Sequence, residues 1–144
     1  MSTTDFFAAM EVSASGLSAQ RTRMNVASSN LANAQTTQGA DGGPYRRRDV
    51  VMTSTEVPEA RGTQFAQFVR GVEVKQITED QKAPRLEYDP GHPHANAEGY
   101  VAYPNINPIE EMVDMITASR AYEAGVTAMS TAVSMAERAL GIGR

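Results

Sequence analysis

Residues 107–144 read NPIEEMVDMITASRAYEAGVTAMSTAVSMAERALGIGR, and the fold turns on how this stretch is read. Its start is marked three times over. Asn107 suits an N-cap, Pro108 the first helical position, and Glu110 the capping-box position. Glu111 and Asp114 add negative charge near the positive end of the helix dipole. Gly141 marks the stop, with Arg138 in the last turn and Gly143 beyond. Between these signals Met112, Ser119, Val126, Val133 and Leu140 recur every seventh residue. Met115, Tyr122, Met129 and Ala136 follow three residues after the first four. That is an a/d seam over about four heptads, on a helix of about 33 residues and roughly 50 Å. Gly125 sits inside it at a cost of about 1 kcal/mol relative to alanine, which a close contact, a bend or mere drift would explain.

The other end of the chain answers in kind. From Thr3 to about Asn33, Met10, Leu17, Met24 and Leu31 are spaced by seven, with Phe7 and Ala14 three residues ahead of the first two. A second line, Val12, Ala19 and Val26, lies roughly 200° round the helix from the first. One partner helix cannot cover both lines, so the segment is expected in a large bundle or against several neighbours. Residues 24–37, MNVASSNLANAQTT, add a puzzle: Ser28, Ser29, Asn30 and Asn33 are poor helix formers in a helical stretch. The expectation is that other chains cover this helix and tolerate them; the plainer alternative is a frayed end with Asn33 as C-cap.

The middle changes character. Gly39, Gly42, Gly43 and Pro44 break the chain. Four runs with strand signals follow: YRRRDVVMTST, FVRGVEVKQI, PRLEYDP and EGYVAYP. The fold expected is mainly α with a small β-rich insert. Residues 1–36 and 104–144 would form two long terminal helices paired as a coiled-coil-like hairpin. Residues 37–103 would form a β-rich, extended outer segment.

Composition narrows the function. A net charge of −4 argues against nucleic acid as a partner. The lack of Cys removes disulfides, thiolate nucleophiles and Cys-ligated zinc. No apolar run is long enough for a membrane span, and no secretory signal is visible at the first residues. Asp89, His92 and His94 in YDPGHPHAN have the donors for a metal, but a turn explains them and no ligand to complete the set is placed. Glu110 and Asp114, four apart, are explained by helix-start electrostatics. Arg46, Arg47 and Arg48 form a basic run that either is solvated or meets carboxylates of a neighbouring subunit. No phosphate loop, serine elbow or zinc motif occurs, so no enzyme, cofactor or small-molecule substrate is expected.

Three stretches, ASGLSAQRTRMNVASSNLANAQTT, GADGGPYRRRDVV and DPGHPHANAEGYVAYPNINPIEEMVDMITASRAYEAGV, resemble the flagellar basal-body rod family. The string from Gly99 to Tyr122 is the most specific part. The resemblance implies a structural subunit of the flagellar axis. Its terminal helices would pair and stack with copies and other rod subunits into an inner tube, leaving the central segment outside. It also implies export by the flagellar type III apparatus without cleavage, with Phe6, Phe7 and Met10 matching a short hydrophobic export signal. The seam residues expected at subunit interfaces are Phe7, Met10, Leu17, Met24, Leu31, Met112, Met115, Tyr122, Val126, Met129 and Val133. Before assembly the termini would lack partners and be largely disordered. Two rival readings are a cytosolic helical-hairpin adaptor and a carboxylate/His metalloenzyme.

Overall fold

Two long helices bracket four short strands. The computed structural model describes residues 3–39, 41–58 and 69–142. The order is α1 (Thr3–Ala32), β1 (Arg48–Glu56), β2 (Arg70–Glu79), β3 (Arg85–Tyr88), β4 (Tyr100–Tyr103) and α2 (Pro108–Ile142). Each of the four strand runs contains a strand, although Phe68 at the head of the second run lies outside the described residues. The strands make two antiparallel ribbons, β1 with β2 and β3 with β4. The first carries a bulge between Val51 and Met52. The chain is mainly α with a small β part.

α2 starts where its cap signals place it. The Asn107 Oδ1 accepts from the Ile109 N–H at 3.1 Å, and the Asn107 Nδ2 donates to Glu110 at 3.0 Å. Glu110 therefore meets the side chain of the cap residue, where a capping box would have it meet the backbone. The expected stop fails: α2 continues through Gly141 to Ile142, and Gly143 is outside the described residues. Glycine is a permissive stop rather than an obligatory one, because its cost in a helix is only about 1 kcal/mol.

The helices lie antiparallel: Asn30 meets Glu111, Arg23 meets Asp114, and Leu17 meets Gly125. The face turned to α1 is one residue out of phase with part of the expected seam. Glu111, Ala118 and Gly125 share that face, with Glu111 and Ala118 buried. Met115, Tyr122, Met129 and Val133 are half-buried, whereas Met112, Val126 and Leu140 are exposed. Ala118 and Gly125 keep this face small beyond the buried Glu111, and the larger apolar residues flank it or face outward. On α1, Met10, Leu17, Met24 and Leu31 are half-buried and Phe7 is exposed.

The two apolar lines of α1 find two neighbours inside one chain. α2 takes one side. The β1–β2 ribbon takes another, where Val12 and Val69 join the small cluster of Ala8 and Val57. Ser15 fixes the ribbon edge by accepting from the Val72 N–H at 3.1 Å. The need for other chains to cover both lines is thus met in part by the insert.

Gly125 owes its place to Leu17. A Cβ at this position would stand 2.9 Å from Leu17 Cδ2. Leu17 can swing a little, and alanine recovers about 1 kcal/mol of helix propensity. Gly125→Ala is therefore expected to shift the urea midpoint hardly at all. Gly125→Leu cannot be accommodated without parting the helices and is expected to cost about 1–3 kcal/mol. Equal midpoints for the two variants would show that the helices do not approach closely here.

The interior is thin. Among the described residues the buried apolar ones are Ala8, Ala19, Ala27, Val57, Val101, Ile106 and Ala118, four of them alanines. The chain exposes 9922 Å², against about 7200 Å² expected of a compact monomer of this mass.

A polar lock and an uncovered helix face

The polar stretch near the end of α1 is where three elements meet. Asn30 is fully buried, and its carboxamide uses every hydrogen-bonding position it has. The Nδ2 donates to Glu111 Oε2 at 2.9 Å and to the Arg48 carbonyl at 2.7 Å. The Oδ1 accepts from the Arg48 N–H at 2.9 Å and from the Tyr45 hydroxyl at 3.1 Å. The side chain thus takes the place of a neighbouring strand at the outer edge of β1, where Arg48 would otherwise leave both backbone groups unpaired. One turn on, the Asn33 Nδ2 donates to the Ser29 carbonyl at 2.9 Å and closes the helix end. The puzzle of Ser29, Asn30 and Asn33 is answered within the chain, not by other chains; Ser28 is exposed.

Glu111 is the second buried member, at 1% exposure. Its Oε1 accepts from Arg47 Nε at 2.6 Å. Arg47 also reaches Asp49 at 3.7 Å and Asp114 at 3.9 Å, and Asp114 meets Arg23 at 3.4 Å. Burial lowers the Arg47 pKa, but the hydrogen bond and charge of Glu111, with Asp49 and Asp114 behind it, outweigh burial and raise it overall. A cation whose pKa rises on folding contributes fully at every pH below its unfolded value. Arg47 therefore stays charged throughout the physiological range. Such a pair adds little net stability, because desolvation offsets the attraction, but it tolerates no missing partner.

The arginine run thus divides. Arg47 and Arg48, for which the sequence left open solvation or pairing with a neighbouring subunit, have carboxylates in their own chain, Arg47 on Glu111 and Arg48 on Glu79 at 3.3 Å. Arg46 is exposed and donates to Gln81 at 3.4 Å, with no carboxylate partner among the described residues. Beside the run lies an open cleft of about 670 Å³, lined by Arg46, Arg48, Asp80 and Lys82 among others. Its charges are largely matched, Lys82 standing 3.7 Å from Asp80.

Asp89, His92 and His94 are turn residues. Asp89 accepts from the Gly91 N–H, His92 Nδ1 from the His94 N–H, and His94 Nδ1 bonds the Thr37 hydroxyl at 2.8 Å. Among the described residues no three His, Cys, Asp or Glu side chains converge as metal ligands, and no helix is long and apolar enough to cross a membrane.

Sequence reasoning assigned Glu111 to the helix dipole and missed its partners. The available signal was phase: Glu111 falls seven residues before Ala118 and fourteen before Gly125, on the small-residue line. It also missed Ile109, Val113 and Ile116, which with Met112 form an exposed apolar face on the first turns of α2.

A chain with long paired terminal helices, a sparse interior and an uncovered helix face is built for assembly. Two family models match it. The C-terminal model of flagellar basal-body rod FlgEFG proteins covers residues 97–142, and the flagella basal-body rod protein model covers residues 10–40. These define the class, flagellar basal-body rod proteins. The chain is 44% identical to the flagellar basal-body rod protein FlgC of Bacillus subtilis, over 96% of this chain and 98% of the relative. It is 41% identical to FlgC of Borreliella burgdorferi, covering 94% and 96%, and 43% identical to FlgC of Aquifex aeolicus, covering 93% and 94%. The chain belongs to the FlgC family of flagellar basal-body rod proteins. It is on that ground a structural protein rather than an enzyme.

Proposed function

We propose that the chain is a structural subunit of the proximal rod of the bacterial flagellar basal body. It assembles through α1 and α2 with copies of itself and other rod subunits into a tube that carries motor torque and encloses part of the export channel. The observation that carries this reading is the near full-length similarity to FlgC proteins. The surface supports it: Met112, Val126, Met135 and Leu140 of α2 and Phe7 of α1 are exposed, and neighbours in an assembly would bury them.

In the assembled rod the helix pair would pack in coiled-coil fashion, with small residues at its centre and Met filling gaps. Packing at interior density resists deformation, which torque transfer requires. Arg46, which is exposed, would meet carboxylates of a neighbouring subunit. The rod section would be periplasmic, reached through the flagellar type III export apparatus without a cleaved signal. Phe6, Phe7 and Met10 would serve as the export signal. A thin alanine core suits a chain that crosses a narrow channel unfolded, because little structure has to be undone.

Replacing the chromosomal copy tests the reading. Leu31→Asp or Met129→Asp is expected to abolish motility and stop rod assembly while the chain is still exported. Normal motility in both variants would sink the seam assignment. Absence of the wild-type chain from purified basal bodies would sink the rod reading itself.

A further inference from the structure

The cluster of Asn30, Arg47 and Glu111 is an expensive way to hold two helices together. A buried ion pair adds little net stability, and well-packed apolar side chains in its place are often as good or better. Glu111 is nonetheless 1% exposed, with Arg47 Nε on its Oε1 at 2.6 Å and Asn30 Nδ2 on its Oε2 at 2.9 Å.

α2 has two ways of meeting α1. In the structure Glu111, Ala118 and Gly125 are turned to α1, with Met115, Tyr122 and Met129 half-buried beside them. The heptad seam combines that same flank with Met112, Ser119 and Val126 instead. The two arrangements share one line and differ by one residue in the other. At about 100° per residue, a roll of α2 by about 50° about its own axis converts one into the other. Apolar burial favours the roll: Met112 and Val126 are 44% and 45% exposed as α2 stands, and turning them to α1 would take them out of water. Gly125 beneath Leu17 permits the observed approach but does not compel it.

The polar contacts do discriminate. At the roughly 5–6 Å radius of a helix with its side chains, such a roll moves the Glu111 carboxylate by roughly 4–5 Å. Its two partners stand on different elements, Asn30 on α1 and Arg47 just ahead of β1. Bonds of 2.6 and 2.9 Å to two separate elements cannot both follow a movement of that size.

We infer that the Asn30–Arg47–Glu111 cluster is a positioning device that sets the roll of α2, holding the small-residue line against α1 and the Met112–Val126 line outward. A single buried polar residue in a helix seam fixes register in the same way, at a cost in stability. On the rod reading the cluster also keeps the outward line free for neighbours; that consequence alone rests on the rod reading.

The chain has no cysteine, so introduced pairs report the roll. Leu17→Cys with Gly125→Cys reports the observed phase, and Leu17→Cys with Val126→Cys the rolled one. Both pairs are oxidised in dilute purified chain and the yields of intramolecular disulfide compared. With the cluster intact, the first pair is expected to exceed the second at least tenfold. With Arg47→Met and Glu111→Leu added, that ratio is expected to drop at least tenfold in a chain that still unfolds cooperatively in urea. Arg47→Met with Glu111→Met is the second apolar replacement and should behave alike. A cluster that only stabilised would lower the urea midpoint and leave the ratio alone, so an unchanged ratio overturns the inference. Loss of the fold in both apolar replacements overturns it as well, by making the cluster a requirement for folding. Equal yields from the two pairs with the cluster intact show that no single roll is fixed, and overturn it too. None of these outcomes depends on whether the chain is found in basal bodies, so the rod reading is tested separately.

Discussion

Glu111→Ala is expected to abolish motility, whereas Glu110→Ala, one residue away, leaves it intact. Both are acidic residues in the first turn of α2. Glu110 is exposed and bonds only the side chain of its own cap among the contacts described. Its loss should cost less than about 1 kcal/mol. Glu111 is 1% exposed and holds Arg47 at 2.6 Å and Asn30 at 2.9 Å. Breaking a buried pair by removing one member costs about 3–5 kcal/mol. The lower end applies here, because Arg47 keeps Asp49 and Asp114 within 3.9 Å. Domain stabilities are about 5–15 kcal/mol, and an alanine-rich interior places this chain toward the bottom of that range. A loss of about 3 kcal/mol is then a large share of the whole. Swimming assays, with the urea midpoints of the purified variants, check the contrast; equal behaviour of the two variants would remove Glu111 from the lock.

Asn30→Asp is expected to be worse than Asn30→Ala at neutral pH, although it changes the shape of the side chain far less. The aspartate keeps one oxygen for the Arg48 N–H and the Tyr45 hydroxyl. The other replaces a donor that stood 2.7 Å from the Arg48 carbonyl and 2.9 Å from Glu111. Two carboxylates at that distance cannot both be ionised, so the folded state holds a proton that the unfolded chain has lost. The sign follows: the folded state binds more protons, so stability falls as pH rises from acid to neutral. Asn30→Ala leaves unpaired groups at about 1–3 kcal/mol each but adds no charge, and has no such dependence. Urea midpoints measured across that pH range separate the two. An aspartate variant as stable as the alanine variant at neutral pH would show that Asn30 does not donate to Glu111.

Much of the architecture is written locally. The caps at Asn107 and Pro108, the seven-residue spacing and the breakers at Gly39–Pro44 carry their meaning within a few residues of themselves. The two helices and four strand positions follow from these and from the strand-like runs between the breakers; membership of the rod family rests instead on the resemblance of whole strings and on the near full-length similarity to FlgC proteins. Phase is harder to read. The small-residue line Glu111–Ala118–Gly125 and the apolar line Met112–Val126–Leu140 are one residue apart, and periodicity alone favours the apolar one. Only the approach of α1, with Leu17 resting where a Cβ at Gly125 would go, decides which line faces inward.

The sequence by itself determined the element types, the order of elements and the sparse, alanine-rich composition, because helix caps, period and turn chemistry act over short distances. Tertiary structure alone decided that Asn30, Arg47 and Glu111 form one buried cluster, since residues 81 positions apart along the chain meet only when α1, β1 and α2 are in place. It also decided that Ile109, Val113 and Ile116 stay in water, because the face a helix leaves open depends on where the elements packed against it lie.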